Sequence, residues 1–397
     1  MKVLVLRSSF QTDEFVKKEY AELIHRLQTE SHAEIDILGD EQVETVASPS
    51  LLPNHVMIAT GGVENLFKRT YTAKRSPAGP IQIIADGRNN SLAAALEILT
   101  YLNNNHREGR IIHGSNDEIL AGMANPLYGA RIGLFGQPSD WLIASGVDRQ
   151  FLWDRYHVET IDIDLQQVID GIKKIPQNEA VKVSQDVVRR SKGIQEPGCA
   201  DMIEASKTYL AIKKICQEER LDAMTIRCFD IVKACHTTSC MALALLNDEG
   251  IVAGCEGDMQ TLLSMLLTKR LCGEEAFMAN PSQLTDHSTM LAHCTIPLKM
   301  CDEIVLRSHF ESSQGVAVQG LMPLTDYTIF KWGGPQLDRY FVTEAKAVET
   351  AYSEHFCRTQ ITLDVDLKPY LLQHSIGNHH VIIRGRHAER IKKFLDR

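Results

Sequence analysis

A carboxylate, an amide and several histidines recur at the ends of apolar runs in the second half of this chain. Glu256 lies in IVAGCEGD (251–258), Asn280 and His293 in FMANPSQLTDHSTMLAHC (277–294), and a histidine pair in GNHH (377–380). The runs before Glu256, Asn280 and His293 read as buried strands, each delivering a polar residue at its carboxyl end. Asp230, which closes LDAMTIRCFD (221–230), has the same placement. Open α/β sheets bind ligands at that edge. Carboxylate, amide carbonyl and imidazole are donors for a divalent cation and partners for sugar hydroxyls. Each residue has an ordinary use when taken alone: Asp230 can cap a helix, Asn280 before Pro281 makes a turn, and His293 can be a core histidine. The shared position of all four points to a metal and sugar site.

The elements that must hold these residues follow from the apolar pattern. MKVLVL reads as a buried strand, 13–29 as an amphipathic helix, NHVMIAT (54–60) and PIQIIAD (80–86) as strands, and SLAAALEILTYLN (91–103) as a helix. This βαβ alternation favours a parallel sheet covered on both faces. A second unit begins near Ala130 with ARIGLFG (130–136), a loop at Pro138 entering a helix over WLIAS, and the strand VETIDI (158–163). Segment 165–200 carries polar residues on helical spacing, and Met259 to Leu271 reads as a buried helix. From about residue 300 the character changes. EIVLRSHF, GVAVQG, YTIFKWGG, RYFVTEAKAVE and QITLDVD are short β-rich segments between turns, followed by a short charged helix in HAERIKKFLDR. The expected fold is therefore α/β: two Rossmann-like parallel-sheet domains, 1–128 and 129–299, and a β-rich domain, 300–397. The second would carry most of the site and the third the His-His motif.

Composition narrows the class. A chain of 397 residues with 44% apolar and 23% charged residues is that of a soluble globular protein of two or three domains. A formal charge of −9 argues against a general nucleic-acid binder. No signal-peptide pattern or membrane-length apolar stretch is present, so a cytoplasmic location is expected. The ten cysteines begin only at Cys199 and include no CxxC pair, which removes the usual zinc-ribbon spacing. Cys235, His236 and Cys240 could bind a metal, but buried reduced thiols packing as small hydrophobes is the preferred reading. No GxGxxG follows a strand, so a dinucleotide site is not indicated. The Gly61-Gly62 turn reads as an ordinary tight turn.

The motifs resemble the metal-site region of the L-fucose isomerase and L-arabinose isomerase superfamily. AGCEGDMQTLLSMLL is similar to the family's Ala-Glu-Gly-Asp strand-to-helix turn, FMAN to the strand end that gives a second carboxylate, LAHC to the strand with a histidine ligand, and GNHH to the C-terminal histidine pair. As a whole the chain looks most like the shorter fucose isomerase-like proteins. The resemblance implies a Mn²⁺ ion, or another divalent cation, held by Glu256, His293 and His380. It also implies a trimer or hexamer whose sites are completed by a neighbouring subunit. One departure stands out. Where the family has its second carboxylate this chain has Ala279 and Asn280, and an amide cannot act as a base near neutral pH. Asp286, Asp258 or Asp230 could supply the missing charge.

The chemistry implied is aldose–ketose isomerisation of an open-chain pentose, 6-deoxyhexose or C6-modified hexose through an enediolate. One group removes the C2 proton and another returns it at C1. Glu256, Asn280 and Asp230 are the catalytic candidates. Arg227, Asp258, Asp286, Arg358 and His379 are the substrate-contact candidates, with surface salt bridges an equal alternative for the arginines. Cys255 and Cys294 flank the site and read as packing residues. Asn280 also motivates two alternatives: a related carbohydrate enzyme performing carbon–carbon bond transfer or epimerisation, and a degenerate sugar-binding protein.

Overall fold

A computed structural model describes residues 2–45, 52–72, 81–107, 109–350 and 352–396. Met1, Pro80 and Arg397, which bound segments read above, lie outside the described residues. The chain divides into two compact units, Met1–Tyr128 and Gly129–Arg397.

In the first unit, strands β1 (Lys2–Leu6), β2 (Glu34–Leu38), β3 (His55–Ile58), β4 (Ile81–Ala85) and β5 (Gly109–His113) form one parallel sheet in the order β2-β1-β3-β4-β5. The inner strands β1, β3 and β4 are mostly apolar and buried because both faces are covered, while the edge strands β2 and β5 are partly exposed. Leu4 and Leu6 pack with Phe67, Ile98 and Leu102 on one face, while Val3 and Val5 pack with Tyr20, Leu23 and Leu27 on the other. The helix expected over 13–29 is two helices, Asp13–Glu19 and Ala21–Glu30. The break falls at Tyr20, whose buried hydroxyl donates to the Ala59 carbonyl at 2.6 Å and ties that turn to the sheet.

The second unit holds a parallel sheet and a barrel. Strands β6 (Arg131–Phe135), β7 (Glu159–Ile163), β8 (Ala223–Ile226) and β9 (Val252–Cys255) run parallel in the order β7-β6-β8-β9. The barrel is built from β10 (Ala276–Leu284), β11 (Thr289–His293), β14 (Asp326–Gly333), β15 (Arg339–Glu349), β16 (Thr359–Leu363) and β17 (His380–Arg384), closing in the order β10-β11-β16-β15-β14-β17. A separate hairpin joins β12 (Glu303–Arg307) to β13 (Ala317–Leu321). The fold is thus mixed α/β with parallel sheets and a β-rich part. The helix Met259–Cys272, buried on all sides from Met259 to Thr268, packs against β8 and β9 and against β10, β14 and β17. It is buried all round because it lies between the sheet and the barrel, and its buried Gln260, Thr261, Ser264 and Thr268 are each hydrogen-bonded.

Three sequence expectations are corrected here. β10 and β11 pair antiparallel within the barrel, not in the parallel sheet, so Glu256 and His293 meet across two layers and not along one sheet edge. Asp230 does not end a strand: β8 stops at Ile226 and Asp230 lies in the first turn of the helix Cys228–Cys235, where an acidic side chain suits the helix dipole. Segment 138–148 forms no helix, and helix begins only at Arg149. Its backbone is claimed by distant partners: Ser139 N–H by the Glu256 carbonyl, the Pro138 carbonyl by Arg227, and the Ala144 and Gly146 carbonyls by Gln260. Among the described residues no helix is long and apolar enough to cross a membrane.

Candidate functional site

The turn after β9 sets the geometry. Glu256 has φ 63° and Gly257 φ 75°, two successive left-handed residues. For glutamate that conformation costs on the order of 1–3 kcal/mol and persists only where its surroundings enforce it. The enforcement is visible. Glu256 accepts the Ser139 N–H through its carbonyl at 2.8 Å and the Trp141 indole N–H through Oε2 at 2.5 Å. A Cβ on Gly257 would come within 2.6 Å of the Pro138 backbone, so only glycine lets the 137–139 segment lie against the turn.

Two imidazoles face the other carboxylate oxygen. His293 Nε2 is 3.9 Å and His379 Nε2 3.5 Å from Glu256 Oε1. Both rings are buried, and their centroids are 5.5 Å apart. The Nδ1 of His293 meets the Thr295 hydroxyl at 3.1 Å. The Nδ1 of His379 lies 3.0 Å from Asp258 Oδ2 and must donate, because an ionised carboxylate only accepts. In the neutral ring its Nε2 then carries the lone pair, buried and without a hydrogen-bond partner, 3.5 Å from Glu256 Oε1. This is the carboxylate–histidine arrangement that fixes a ring for metal ligation.

Asp258 anchors the arrangement. It caps the helix Met259–Cys272 through the Thr261 N–H at 2.9 Å, accepts the Thr261 hydroxyl at 2.7 Å, and lies 3.7 Å from Lys331 Nζ, with both side chains fully buried. Burial opposes its charge, but Lys331 and His379 hold the carboxyl well below the ordinary range. Glu256 behaves alike: desolvation is more than offset by His293 and His379, and it stays ionised. Burial pulls the His293 pKa down, whereas for His379 Asp258 and Glu256 outweigh burial and raise it.

The remaining sequence candidates fall elsewhere or are engaged. His380, the second histidine of the pair, is turned away. Its Nε2 meets the Tyr370 hydroxyl at 2.9 Å and its Nδ1 the Asn378 carbonyl at 3.0 Å, and burial pushes it down to about 3. Arg227 is committed to Asp230, Asp140 and the Pro138 carbonyl. Arg358 is committed to Ser308 and Tyr352. Asp286 is exposed and paired with Lys368. Asn280 sits within β10 opposite Ala292, and Ala279 beside it is buried. Cys240 packs with Cys294 and Ala317, while His236 serves as the C-cap of the helix Cys228–Cys235.

Three residues that the sequence reading passed over also belong to the site. Trp141 holds Glu256, and it was hidden inside a run read as helix. Glu311, exposed in the loop after β12, has its carboxyl raised by partial desolvation and then by the charge of Glu256. Cys255, read as a packing residue, groups with Glu256 and His293 so that one ligand atom from each lies within 4.8 Å of the others. Strand alternation puts neighbours on opposite faces, but the left-handed backbone at Glu256 breaks that alternation and brings the two side chains together. These three donors, sulfur, carboxylate and imidazole, suit a divalent cation; His379 lies outside that group, with its Nε2 3.5 Å from Glu256 Oε1.

No family model matches the chain. It is similar to curated proteins named sulfoquinovose isomerase. The one from Alkalicoccus urumqiensis is 24% identical over 172 residues, 41% of this chain and 38% of that protein. The one from Priestia megaterium is 26% identical over 148 residues, 37% and 33% of the two. The one from Clostridium sp. is 22% identical over 192 residues, 47% and 43%. The matched segments thus span less than half the length of these relatives.

Proposed function

We propose that the chain is a metal-dependent aldose–ketose isomerase that interconverts an open-chain aldose and its ketose. The observation that carries this is the bare Nε2 of buried His379, 3.5 Å from Glu256 Oε1, with His293 Nε2 3.9 Å from the same oxygen. The similarity to proteins named sulfoquinovose isomerase supports the same reaction class.

Glu256, His293 and His379 would hold the cation, with His379 in the place that the family resemblance gives to His380. A divalent cation held there would supply Lewis-acid stabilisation of the negative charge that develops on the sugar oxygens. Proton movement falls to the protein. Glu256, ionised and oriented by Trp141, takes the C2 proton. Glu311, whose carboxyl is pushed the opposite way, returns a proton at C1. Two carboxyl groups driven apart in pKa are the signature of a base and its acid. Asn280 offers an amide to a sugar hydroxyl.

The names of the relatives make sulfoquinovose the first substrate to try, beside pentoses and 6-deoxyhexoses. A homo-oligomer is part of the proposal, since Phe10 and Ile143 are each 93% exposed and would be covered by a second copy.

The test is NMR of each sugar with the protein in D₂O, with Mn²⁺, Co²⁺ or Zn²⁺ supplied. Ketose carrying solvent deuterium is expected, slowed by about 10²–10⁴-fold in Glu256→Gln, the range for loss of a general base. Failure of every sugar with every metal would sink the reading.

A further inference from the structure

We propose that Cys255 is a ligand of this centre, and that its thiolate makes the site select a thiophilic cation (zinc, cobalt(II) or iron(II)) over manganese or magnesium. The inference rests on the metal-dependent reading above and deepens it.

The argument starts from charge. A site made only of one carboxylate and two neutral imidazoles carries a single negative charge, so a divalent cation lacks a second anionic donor. The family resemblance would place that donor at 279 or 280, where this chain has alanine and asparagine. Among the described residues no other carboxylate groups with Glu256 and His293 as a metal donor, Glu311 included. Asp258 is spent on Thr261, Lys331 and His379, Asp230 on Arg227, and exposed Asp286 on Lys368. Among the described residues the one cluster of potential metal donors joins Glu256 and His293 to Cys255 and to no further carboxylate.

The position of Cys255 agrees. It is 3% exposed, at the end of β9, where a sulfur ligand would be shielded from solvent and oxidants. Its Sγ is 3.2 Å from Cys228 Sγ. Once Cys255 binds as a thiolate, the Cys228 S–H can donate to it and offset part of the burial cost of the charge. Binding is balanced simply: the Sγ–H bond breaks, the sulfur–metal bond forms, and the proton leaves to solvent. With Glu256 and His293 the group is one sulfur, one oxygen and one nitrogen, and the proposal adds the Nε2 of His379, 3.5 Å from Glu256 Oε1, as a second nitrogen. Thiolate and imidazole favour zinc and its neighbours, whereas manganese and magnesium favour all-oxygen surroundings.

The experiment uses the full chain, stripped with a chelator and reloaded with Co²⁺, read by absorption spectroscopy. The visible bands report bound cobalt, and an intense near-ultraviolet thiolate-to-cobalt band reports sulfur ligation. Both are expected in the parent. Cys255→Ser should keep the visible bands, lose the near-ultraviolet one, and lower the preference for Zn²⁺ over Mn²⁺ in competition dialysis by at least about tenfold. Should Cys255→Ser fail to fold, Cys228→Ser and Cys294→Ser assign the band, since both are expected to retain it. Visible bands without the near-ultraviolet band in the parent would overturn thiolate ligation and leave the metal-dependent reading standing. No cobalt bound at all would overturn both.

Discussion

Glu256 and Glu311 carry the same functional group in opposed surroundings. Around Glu256 the imidazoles of His293 and His379 outweigh burial, and the carboxylate is ionised far below its ordinary range. Glu311 has no such partners, so partial desolvation and the charge of Glu256 raise it. If Glu311 is the acid that returns the proton, activity requires it protonated. The sign then follows: turnover is full below its raised pKa and falls as pH climbs through it. Glu311→Gln should lower kcat by about 10²-fold or more and remove that basic limb from the pH–rate profile, while leaving metal binding unchanged. A variant with a low kcat but an unaltered basic limb would show that another group donates.

At the scale of elements, the site depends on one helix N-terminus. Asp258 caps the helix Met259–Cys272, orients His379 from the strand-end pair before β17, and faces Lys331 on β14, with no solvent reaching any of them. Removing one partner of a buried ion pair strands the other, at a cost of about 3–5 kcal/mol. Asp258→Asn should therefore destabilise by about that amount in denaturant unfolding. The double variant with Lys331→Met should recover a substantial part, because no unpaired charge remains. Equal losses in the single and double variants would mean that the cap, not the ion pair, carries the effect. The same elements show what could be seen in the sequence. Strands β1, β3 and β4 and those of the second sheet were legible because buried runs such as MKVLVL and ARIGLFG admit few other readings, whereas the edge strands β2 and β5, partly exposed, were passed over. The places of Glu256 and His293 at the ends of β9 and β11 were legible for the same reason, each closing such a run. The barrel pairing of β10 with β17 was not, because antiparallel partners about a hundred residues apart leave no local signature. Nor could periodicity show which histidine of GNHH faces inward, since neighbouring residues at a strand end differ only by the side they take. Trp141 was lost because the 138–148 loop is shaped by Arg227, Gln260 and Glu256, all distant in sequence.

For the whole molecule, the division into two units has a consequence for where the proposed metal centre would reside. Residues up to Tyr128 close two apolar clusters of their own, one on each face of the first sheet. Every donor argued for the centre (Cys255, Glu256, His293 and His379) and every residue that orients them (Trp141, Asp258, Thr261, Thr295 and Lys331) belongs to Gly129–Arg397. That unit contains a complete parallel sheet, a closed barrel and a buried helix between them, at 269 residues (397 − 128) large enough to sustain its own core. A fragment spanning 129–397 is therefore expected to fold cooperatively and to bind one Co²⁺ with the absorption spectrum of the full chain, whereas a fragment spanning 1–128 should bind none. A fragment 129–397 that melts cooperatively yet binds no cobalt would overturn the assignment of the centre to this unit's own donors.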